Sequence, residues 1–275
     1  MKTLKKYSSD RSLQKEVAYI RPEAELLLCC ARTNVDARYA SRLRTLLQNK
    51  LDWAYLIRAS FLHGMLPLLY WNLQATCREA VPKLILEQLQ SHFQANSRRN
   101  LFLLAELIRL LDFFALSHIP TIPLKGPILA ASAYGNVALR LFSDLDIMVN
   151  QRDLLRAGEA LMALGYRPTV EQPYGEEAGY AWVRNDGKVG IDLQWRITGE
   201  ALAFPLDVDQ LFLRLEPLSI AGSRSLSLPV GDLLVFLCVH GCKHRWKRLN
   251  WTSDVAEVIR AHPQLDWAHV MAHAR

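Results

Sequence analysis

The sequence predicts an α+β protein in which a small sheet with its helices stands between two helical regions. Apolar residues recur at helical spacing through residues 23–116, which predicts a helical N-terminal region. Between residues 118 and 228 the pattern changes to short β-forming segments that are separated by Gly, Pro and Asn. The helical period returns from residue 229 onward.

The composition is ordinary for a soluble globular protein. Of the 275 residues, 51% are hydrophobic and 22% are charged. No apolar run reaches the ~18 residues that span a bilayer, and residues 1–10 lack the apolar segment of a secretory signal. Five cysteines, an odd number, indicate buried thiols rather than a disulfide framework. We therefore expect a cytoplasmic protein with no membrane partner.

The net charge of +6 is unevenly distributed. Residues 1–110 hold 17 Lys and Arg against 9 Asp and Glu, whereas residues 111–275 hold 16 against 18. A basic N-terminal half suits an anionic partner, such as RNA or a nucleotide, or else a solvated helical surface. No basic run is interleaved with aromatic residues, so a dedicated nucleic-acid-binding module is not indicated.

Caps, punctuation and spacing predict the individual helices. Pro22 and Pro82 stand at helix starts, where proline is favoured, and Leu101, Leu104 and Phe114 lie on one broad apolar face of the last helix of the N-terminal region. The predicted helices of that region cover residues 23–32, 37–48, 52–63, 66–73 and 82–116. Further helices are predicted over residues 127–134, 152–164, 206–213, 229–243, 252–261 and 266–275.

Four short strands are predicted in the central region. They cover residues 120–124, 143–149, 180–184 and 188–196. The last two flank Asn185-Asp186-Gly187, which is a strong hairpin signal.

Two carboxylates lie two residues apart inside the strand at residues 143–149. Asp144 and Asp146 point to the same face of a strand, whereas Leu145, Ile147 and Val149 point to the core. Adjacent anions on a partly buried surface repel each other and are costly to desolvate unless a cation neutralises them. Mg²⁺ is the usual cation, and it commonly brings phosphate oxygens with it. The alternative is a strand end at which both carboxylates touch water.

A third acid lies on the strand at residues 188–196. Alternation places Asp192, Gln194 and Arg196 on one face and the apolar residues on the other. If this strand lies beside the Asp144 and Asp146 strand, three carboxylates meet on one sheet face. Such an arrangement holds two divalent metals, with Asp192 as a ligand, a general base or both.

Lys125-Gly126 lies where a strand gives way to a helix. Backbone N–H groups at a helix start attract phosphate, glycine permits close approach, and Lys125 adds a positive charge. Arg140 precedes the acidic strand, and either pairs with Asp144, touches a triphosphate or forms a purely structural ion pair.

The segment from Cys238 to His244 alternates cysteine and histidine. On a helix the two cysteines and the two histidines face nearly opposite directions, so four ligands cannot converge on one zinc ion. His240 and His244 therefore either face nucleotide phosphates or belong to a solvated basic helix end packed on Trp246. Trp195 and Trp251 are expected in the core rather than as base-stacking platforms, and Asp254 is expected to cap or pair locally.

The order of strand, glycine, helix, Asp-x-Asp strand and third-Asp strand resembles the polymerase-β-like nucleotidyltransferase superfamily. Over nearly the whole chain, the sequence more narrowly resembles the bacterial group of uncharacterised nucleotidyltransferase family proteins. The core motifs are Ile122-Pro-Leu-Lys-Gly-Pro-Ile-Leu-Ala130, Tyr134-Gly135, Arg140, Asp144-Leu-Asp-Ile-Met-Val149, Gly165-Tyr166 and Asp192-Leu-Gln-Trp195. The flanking motifs are Leu26-Leu-Leu-Cys-Cys-Ala-Arg32, Leu51-Asp-Trp53, His63-Gly64, Pro67-Leu-Leu-Tyr70 and His240-Gly-Cys-Lys-His244 with Trp246, Leu249, Trp251 and Asp254.

The resemblance implies a polymerase-β-like nucleotidyltransferase core, a small mixed sheet with helices, flanked by N-terminal and C-terminal helical regions. We expect an N-terminal extension over residues 1–22, a helical domain over 23–117, the α/β core over 118–228 and a C-terminal helical region over 229–275. The implied reaction moves a nucleoside monophosphate from an NTP, with ATP among the candidates, to an acceptor hydroxyl. Mg²⁺ or Mn²⁺ is the implied cofactor, bound by Asp144 and Asp146 with Asp192 as the third acid.

The nucleotide would lie near Gly126, with Lys125, Arg140, Arg196, His240 and His244 as candidate contacts. Two departures from the group are visible. Pro127 stands where the superfamily often has Ser, which removes a hydroxyl contact to phosphate. The chain also ends inside a predicted helix at Arg275, so we expect a shortened C-terminal region.

Two other function classes fit the acidic pair. A GT-A glycosyltransferase also uses Asp-x-Asp to hold Mn²⁺, but it predicts an α/β nucleotide fold ahead of the pair, where this sequence predicts helices. The other class is a non-catalytic nucleotide- or RNA-binding module. The acceptor remains open among a small molecule, a protein, a peptide and an RNA.

Overall fold

The computed structural model describes residues 20–169, 179–198 and 208–274. Residues 1–19 of the predicted N-terminal extension, the first two residues of the helix predicted at 206–213, and Arg275 lie outside this range. The described residues form eleven α-helices and seven strands. This mixture, with helices before, within and after the sheet, confirms the predicted α+β class, whereas the domain boundaries remain a prediction.

Side-chain caps fix the starts of several helices. Asp36, Asp52 and Asp266 each accept a hydrogen bond from the backbone N–H three residues later, which satisfies a donor that the first turn leaves unpaired. The helices are α1 (Pro22–Cys29), α2 (Ala37–Leu47), α3 (Trp53–Leu62), α4 (Leu66–Thr76), α5 (Lys83–Leu116), α6 (Gly126–Ser132), α7 (Leu154–Ala163), α8 (Val208–Phe212), α9 (Val230–Lys243), α10 (Leu249–Ala261) and α11 (Trp267–His273). Short 3₁₀ helices cover Arg78–Ala80, Val137–Leu139 and Gln151–Asp153.

Five strands form one mixed sheet. They are β1 (Thr121–Pro123), β2 (Asp144–Val149), β3 (Tyr166–Pro168), β4 (Gly179–Arg184) and β5 (Gly190–Gln194), in the order β1-β2-β5-β4-β3. Only the central pair, β2 and β5, is parallel among these pairings. The predicted adjacency of the two acidic strands is therefore confirmed. Strand β3 and a separate hairpin of β6 (Glu216–Ile220) and β7 (Ser223–Ser227) were not predicted.

The two faces of the sheet pack into different apolar clusters. Leu145, Ile147 and Val149 of β2 are fully buried in a cluster that includes the C-terminal half of α5 and helix α7. Met148, on the opposite face, belongs to a cluster shared by helices α1–α4 and α9–α11. The acidic side chains are on the same face as Met148, and along this face the strand changes from exposed at Asp144 to fully buried at Met148.

The buried face of α5 differs from the predicted one. Leu103, Leu107 and Leu110 are buried, whereas Leu101 is 56% exposed. Leu104 and Phe114 are buried as predicted. The whole stretch from residue 101 to 116 is rich in apolar residues, so its period alone does not select one face. Within the described residues, no helix is both long and apolar enough to cross a bilayer.

Candidate active site

Three carboxylates lie on one face of the sheet, on its two central strands. Asp146 of β2 is directly opposite Asp192 of β5, and Asp144 is opposite Gly190. Since side chains two residues apart share a face, Asp144, Asp146 and Asp192 project from the same side. The register therefore brings together the three acids that the sequence singled out, although their roles as metal ligands remain a prediction.

Gln194 connects two of these carboxylates. Its side-chain Nε2 lies 2.7 Å from Asp192 Oδ2 and 3.3 Å from Asp146 Oδ1. One amide group thus reaches both acids and donates to each of them. The sequence placed Gln194 on the acidic face but assigned it no role, and the alternation of β5 was the signal that it belongs to the site.

Lys125 forms the closest ion pair of the site. Its Nζ lies 2.7 Å from Asp146 Oδ1, and both side chains are about nine-tenths buried. The backbone explains this position, because Leu124 N–H donates to the Asp146 carbonyl and so extends the β1–β2 ladder to the residue before Lys125. Gly126 follows with φ of +53°, a left-handed conformation that favours glycine, and it begins α6.

The electrostatic environment makes the charged forms of the outer two acids less favourable than they are in water. Desolvation raises the pKa of Asp144 and that of Asp192, and the negative charge of Asp146 raises both further. The Lys125 ammonium acts in the opposite direction on both carboxyls. The three carboxylates together therefore carry more negative charge than the Lys125 ammonium alone neutralises.

Helix α9 brings two histidines to this face. His240 Nδ1 lies 3.4 Å from Lys125 Nζ, and the His240 and His244 ring centroids are 4.6 Å apart. Burial and the neighbouring Lys125 lower the pKa of His240 to about 2, so its ring is neutral at physiological pH. Burial also lowers the pKa of His244. Both histidines are therefore neutral polar groups beside the acids.

The aromatic partner of these histidines is Trp251 rather than the expected Trp246. The Trp251 ring centroid lies 5.6 Å from that of His240 and 5.0 Å from that of His244. Trp246 packs instead on Gly241, where any side chain would collide with its ring. Trp195 is buried in the core beside Tyr180, as predicted.

Arg140 pairs with Asp254, not with Asp144. Its Nε and Nη2 each lie 2.8 Å from a different Asp254 oxygen, and the Tyr134 hydroxyl donates to Oδ1 of the same carboxylate at 2.7 Å. Although burial disfavours the charge, Asp254 raises the pKa of Arg140. The expectation that Asp254 caps or pairs locally is wrong, because its partners lie 114 and 120 residues earlier in the chain. The sequence had left a structural ion pair open for Arg140, and the geometry matches that alternative.

The remaining predicted contact, Arg196, lies two residues beyond the end of β5 and is half-buried. Its proposed contact with nucleotide stays a prediction. Cys238 and Cys242 carry free thiols, as do the other three cysteines, all of which are among the described residues.

The donor set of the acidic face suits a hard divalent cation. Carboxylate oxygens are the ligands that Mg²⁺ and Mn²⁺ prefer. In the described ranges, no three acidic, histidine or cysteine side chains already converge as a finished metal site. Mg²⁺ usually retains waters and takes substrate phosphates as ligands, so two or three acids beside a triphosphate fit such an ion.

Comparisons with known proteins point to one family. The model of a family described as uncharacterised nucleotidyltransferase matches residues 49–275. No curated protein matches significantly.

Two solved structures of the nucleotidyltransferase ANT(2″)-Ia are similar to this chain. The solution structure of this antibiotic-resistance factor is 14% identical, with 64% of this chain and 90% of that chain covered and a TM-score of 0.44. The crystal structure of ANT(2″)-Ia in complex with adenylyl-2″-tobramycin is also 14% identical, with 63% and 95% covered and a TM-score of 0.43.

Proposed function

Because the chain belongs to the uncharacterised nucleotidyltransferase family, we propose that it transfers a nucleoside monophosphate from an NTP to an acceptor hydroxyl and releases pyrophosphate. The observation that carries this proposal is the register of β2 and β5. It sets Asp146 opposite Asp192 on one face, with Asp144 beside them. Three carboxylates on a face that Lys125 only partly neutralises suit a reaction that brings both metal and phosphates.

Asp144, Asp146 and Asp192 would hold Mg²⁺ or Mn²⁺. When bound, such ions neutralise phosphate charge and lower the pKa of an attacking hydroxyl. The Asp192 carboxylate accepts a hydrogen bond from the Gln194 amide. As a ligand, a general base or both, Asp192 would take the proton of the acceptor hydroxyl.

The residues around the trio would bind and orient the nucleotide. Lys125 supplies a positive charge at the start of α6, next to the glycine that permits close backbone approach. His240 and His244 offer neutral hydrogen-bonding groups from α9. Arg140 is held by Asp254, so its role is to position the loop before β2 and to add a positive field rather than to grasp phosphate. Most of the catalysis would come from positioning and charge neutralisation.

The test measures label transfer from α-labelled ATP, GTP, CTP and UTP with Mg²⁺ or Mn²⁺. The acceptors are panels of small hydroxyl compounds, proteins, peptides and RNA. We expect transfer with stoichiometric pyrophosphate, reduced at least about 100-fold in Asp144→Asn. Asp112→Asn removes an exposed carboxylate from α5 and serves as the matched control. Equal transfer by wild type and Asp144→Asn would overturn the proposal.

Two other results would replace it. Release of sugar from a nucleotide sugar, without pyrophosphate, would indicate a glycosyltransferase. Tight nucleotide binding without transfer to any acceptor would indicate a binding module.

A further inference from the structure

The Lys125 ammonium occupies a position on the acidic face where a cation is needed. Its Nζ lies 2.7 Å from Asp146, the central acid of the three. Gln194 supplies the other close contact to Asp146, but an amide brings no net charge. Lys125 therefore neutralises Asp146 through direct contact in the absence of a ligand.

We propose that Lys125 is an exchangeable counter-ion, which holds Asp146 in the empty site and releases it when a nucleotide brings in the divalent metal. This inference rests on the proposed function. It adds that metal binding is coupled to nucleotide binding, because the metal displaces Lys125 from Asp146 when the nucleotide is present. The ammonium lies on Oδ1 of Asp146 at 2.7 Å, so a divalent ion that binds this carboxylate is repelled by the lysine charge until the ammonium moves away.

The charges around the site support such an exchange. Arg140, the other buried cation near the acids, is already paired through two nitrogens with Asp254. The Arg140 guanidinium is therefore held by Asp254 and does not take the place of Lys125 at Asp146. The three carboxylates carry more negative charge than the Lys125 ammonium alone neutralises, and a divalent ion would offset the excess.

The surroundings of Lys125 also provide a place for the displaced ammonium. Its Nζ already lies 3.4 Å from His240 Nδ1, and the neutral ring can accept a hydrogen bond there. The lysine stem is long and flexible, and its backbone lies immediately before the glycine that begins α6. A short movement of the side chain away from Asp146 would leave the charge available to the phosphates.

Binding of Mn²⁺, followed by the electron paramagnetic resonance signal of the free ion, tests the exchange without requiring activity. We compare wild type with Lys125→Met, and we use Lys243→Met as the control because Lys243 is an exposed lysine on α9 near the same histidines. Without nucleotide, Lys125→Met is expected to bind Mn²⁺ about tenfold more tightly than wild type. The control is expected to change by less than about twofold.

With a non-hydrolysable NTP analogue the order is expected to reverse, so that wild type binds Mn²⁺ more tightly than Lys125→Met. Equal Mn²⁺ affinity of the two proteins without nucleotide would overturn the exchange, and so would an equal gain in Lys243→Met. Failure of the proposed function would look different, because the label-transfer assay would then show no transfer with pyrophosphate release, whatever the order of the Mn²⁺ affinities. If circular dichroism shows that Lys125→Met is misfolded, Lys125→Gln carries the same comparison.

Discussion

Arg140 and Asp254 form a buried ion pair that joins the loop before β2 to helix α10. Two Arg140 nitrogens each lie 2.8 Å from a separate carboxylate oxygen. The Arg140 carbonyl accepts hydrogen bonds from Asn96 and Asn100 of α5. One residue is thus held by a C-terminal helix through its side chain and by the long N-terminal helix through its backbone. Because β2 begins four residues later, this pair helps to fix the strand that carries Asp144 and Asp146.

We expect loss of either partner to be strongly destabilising. Arg140→Ala leaves the Asp254 carboxylate buried without its cation, and Asp254→Ala leaves the guanidinium without its anion. Each substitution should lower the free energy of unfolding by ~3–5 kcal/mol, which is typical of a broken buried pair. Urea denaturation measures this change.

The double variant separates the pair from its individual groups. Because it leaves no lone buried charge, it should be much less destabilised than the sum of the two single variants. Lys83→Ala is the control, since Lys83 and Glu87 form an exposed pair at 3.9 Å that should contribute less than ~1 kcal/mol. Additive losses in the double variant would contradict this interpretation.

Tyr134→Phe tests the hydroxyl that completes this cluster. The hydroxyl donates to Asp254 at 2.7 Å in a buried setting, where desolvation raises the pKa of Tyr134. Its removal leaves one Asp254 oxygen with fewer partners, so we expect a loss of ~1–2 kcal/mol in the free energy of unfolding. Tyr55→Phe is the control, because it retains the ring that Arg21 covers at 4.0 Å. Equal effects of the two substitutions in urea denaturation would argue against a special role for Tyr134.

The acidic face could be predicted from the sequence because its signal is local. Alternation along β2 and β5 fixes which side chains share a face, and the apolar residues between them fix which face is buried. The same local logic correctly placed the hairpin turn at Asn185-Asp186-Gly187. The acids were thus gathered on one face by residue patterns that span only a few positions.

The partners of the basic residues could not be predicted, because they are remote in sequence. Arg140 and Asp254 are 114 residues apart, and Lys125 and His240 are 115 apart. No periodicity links positions at that distance, so Asp144 was the nearest plausible partner for Arg140. Strand β6 was missed for a different reason, since Pro217 lies inside it and proline argues against a strand unless that strand is at an edge.

Gly126→Ala is expected to combine a modest loss of stability with a larger loss of function. Gly126 has φ of +53°, and a Cβ there would meet only ordinary contacts, the nearest being the Asp144 carbonyl at 3.6 Å. The cost in stability should therefore be the ~1–2 kcal/mol of a left-handed non-glycine residue. Gly187→Ala is a matched control, because its φ is +71° and a Cβ there would meet only open space in the turn between β4 and β5.

The two glycine variants should differ in nucleotide use. Both should lose similar stability in urea denaturation, but only Gly126→Ala should lower kcat/KM for the NTP, by about tenfold or more. A similar loss of kcat/KM in both variants would show that the effect follows stability rather than the backbone next to Lys125.

Asp192→Asn should stabilise the metal-free protein at neutral pH while it removes transfer activity. Desolvation and the charge of Asp146 raise the pKa of Asp192 in the folded state, so folding favours its protonated form. Stability should therefore fall as pH rises from the ordinary aspartate range, near ~4, through this raised pKa. Asparagine is neutral at every pH and can still accept from Gln194.

Urea denaturation without divalent metal, compared between pH 7 and pH 3, measures this difference. We expect Asp192→Asn to be more stable than wild type at pH 7, with the advantage disappearing by pH 3, where the aspartate is protonated in both states. Asp112→Asn, which removes an exposed carboxylate from α5, is the control measured under the same two conditions. If wild type is as stable as Asp192→Asn at pH 7, the charge of Asp192 does not destabilise the metal-free fold. A divalent cation would then not be needed to offset repulsion on the acidic face.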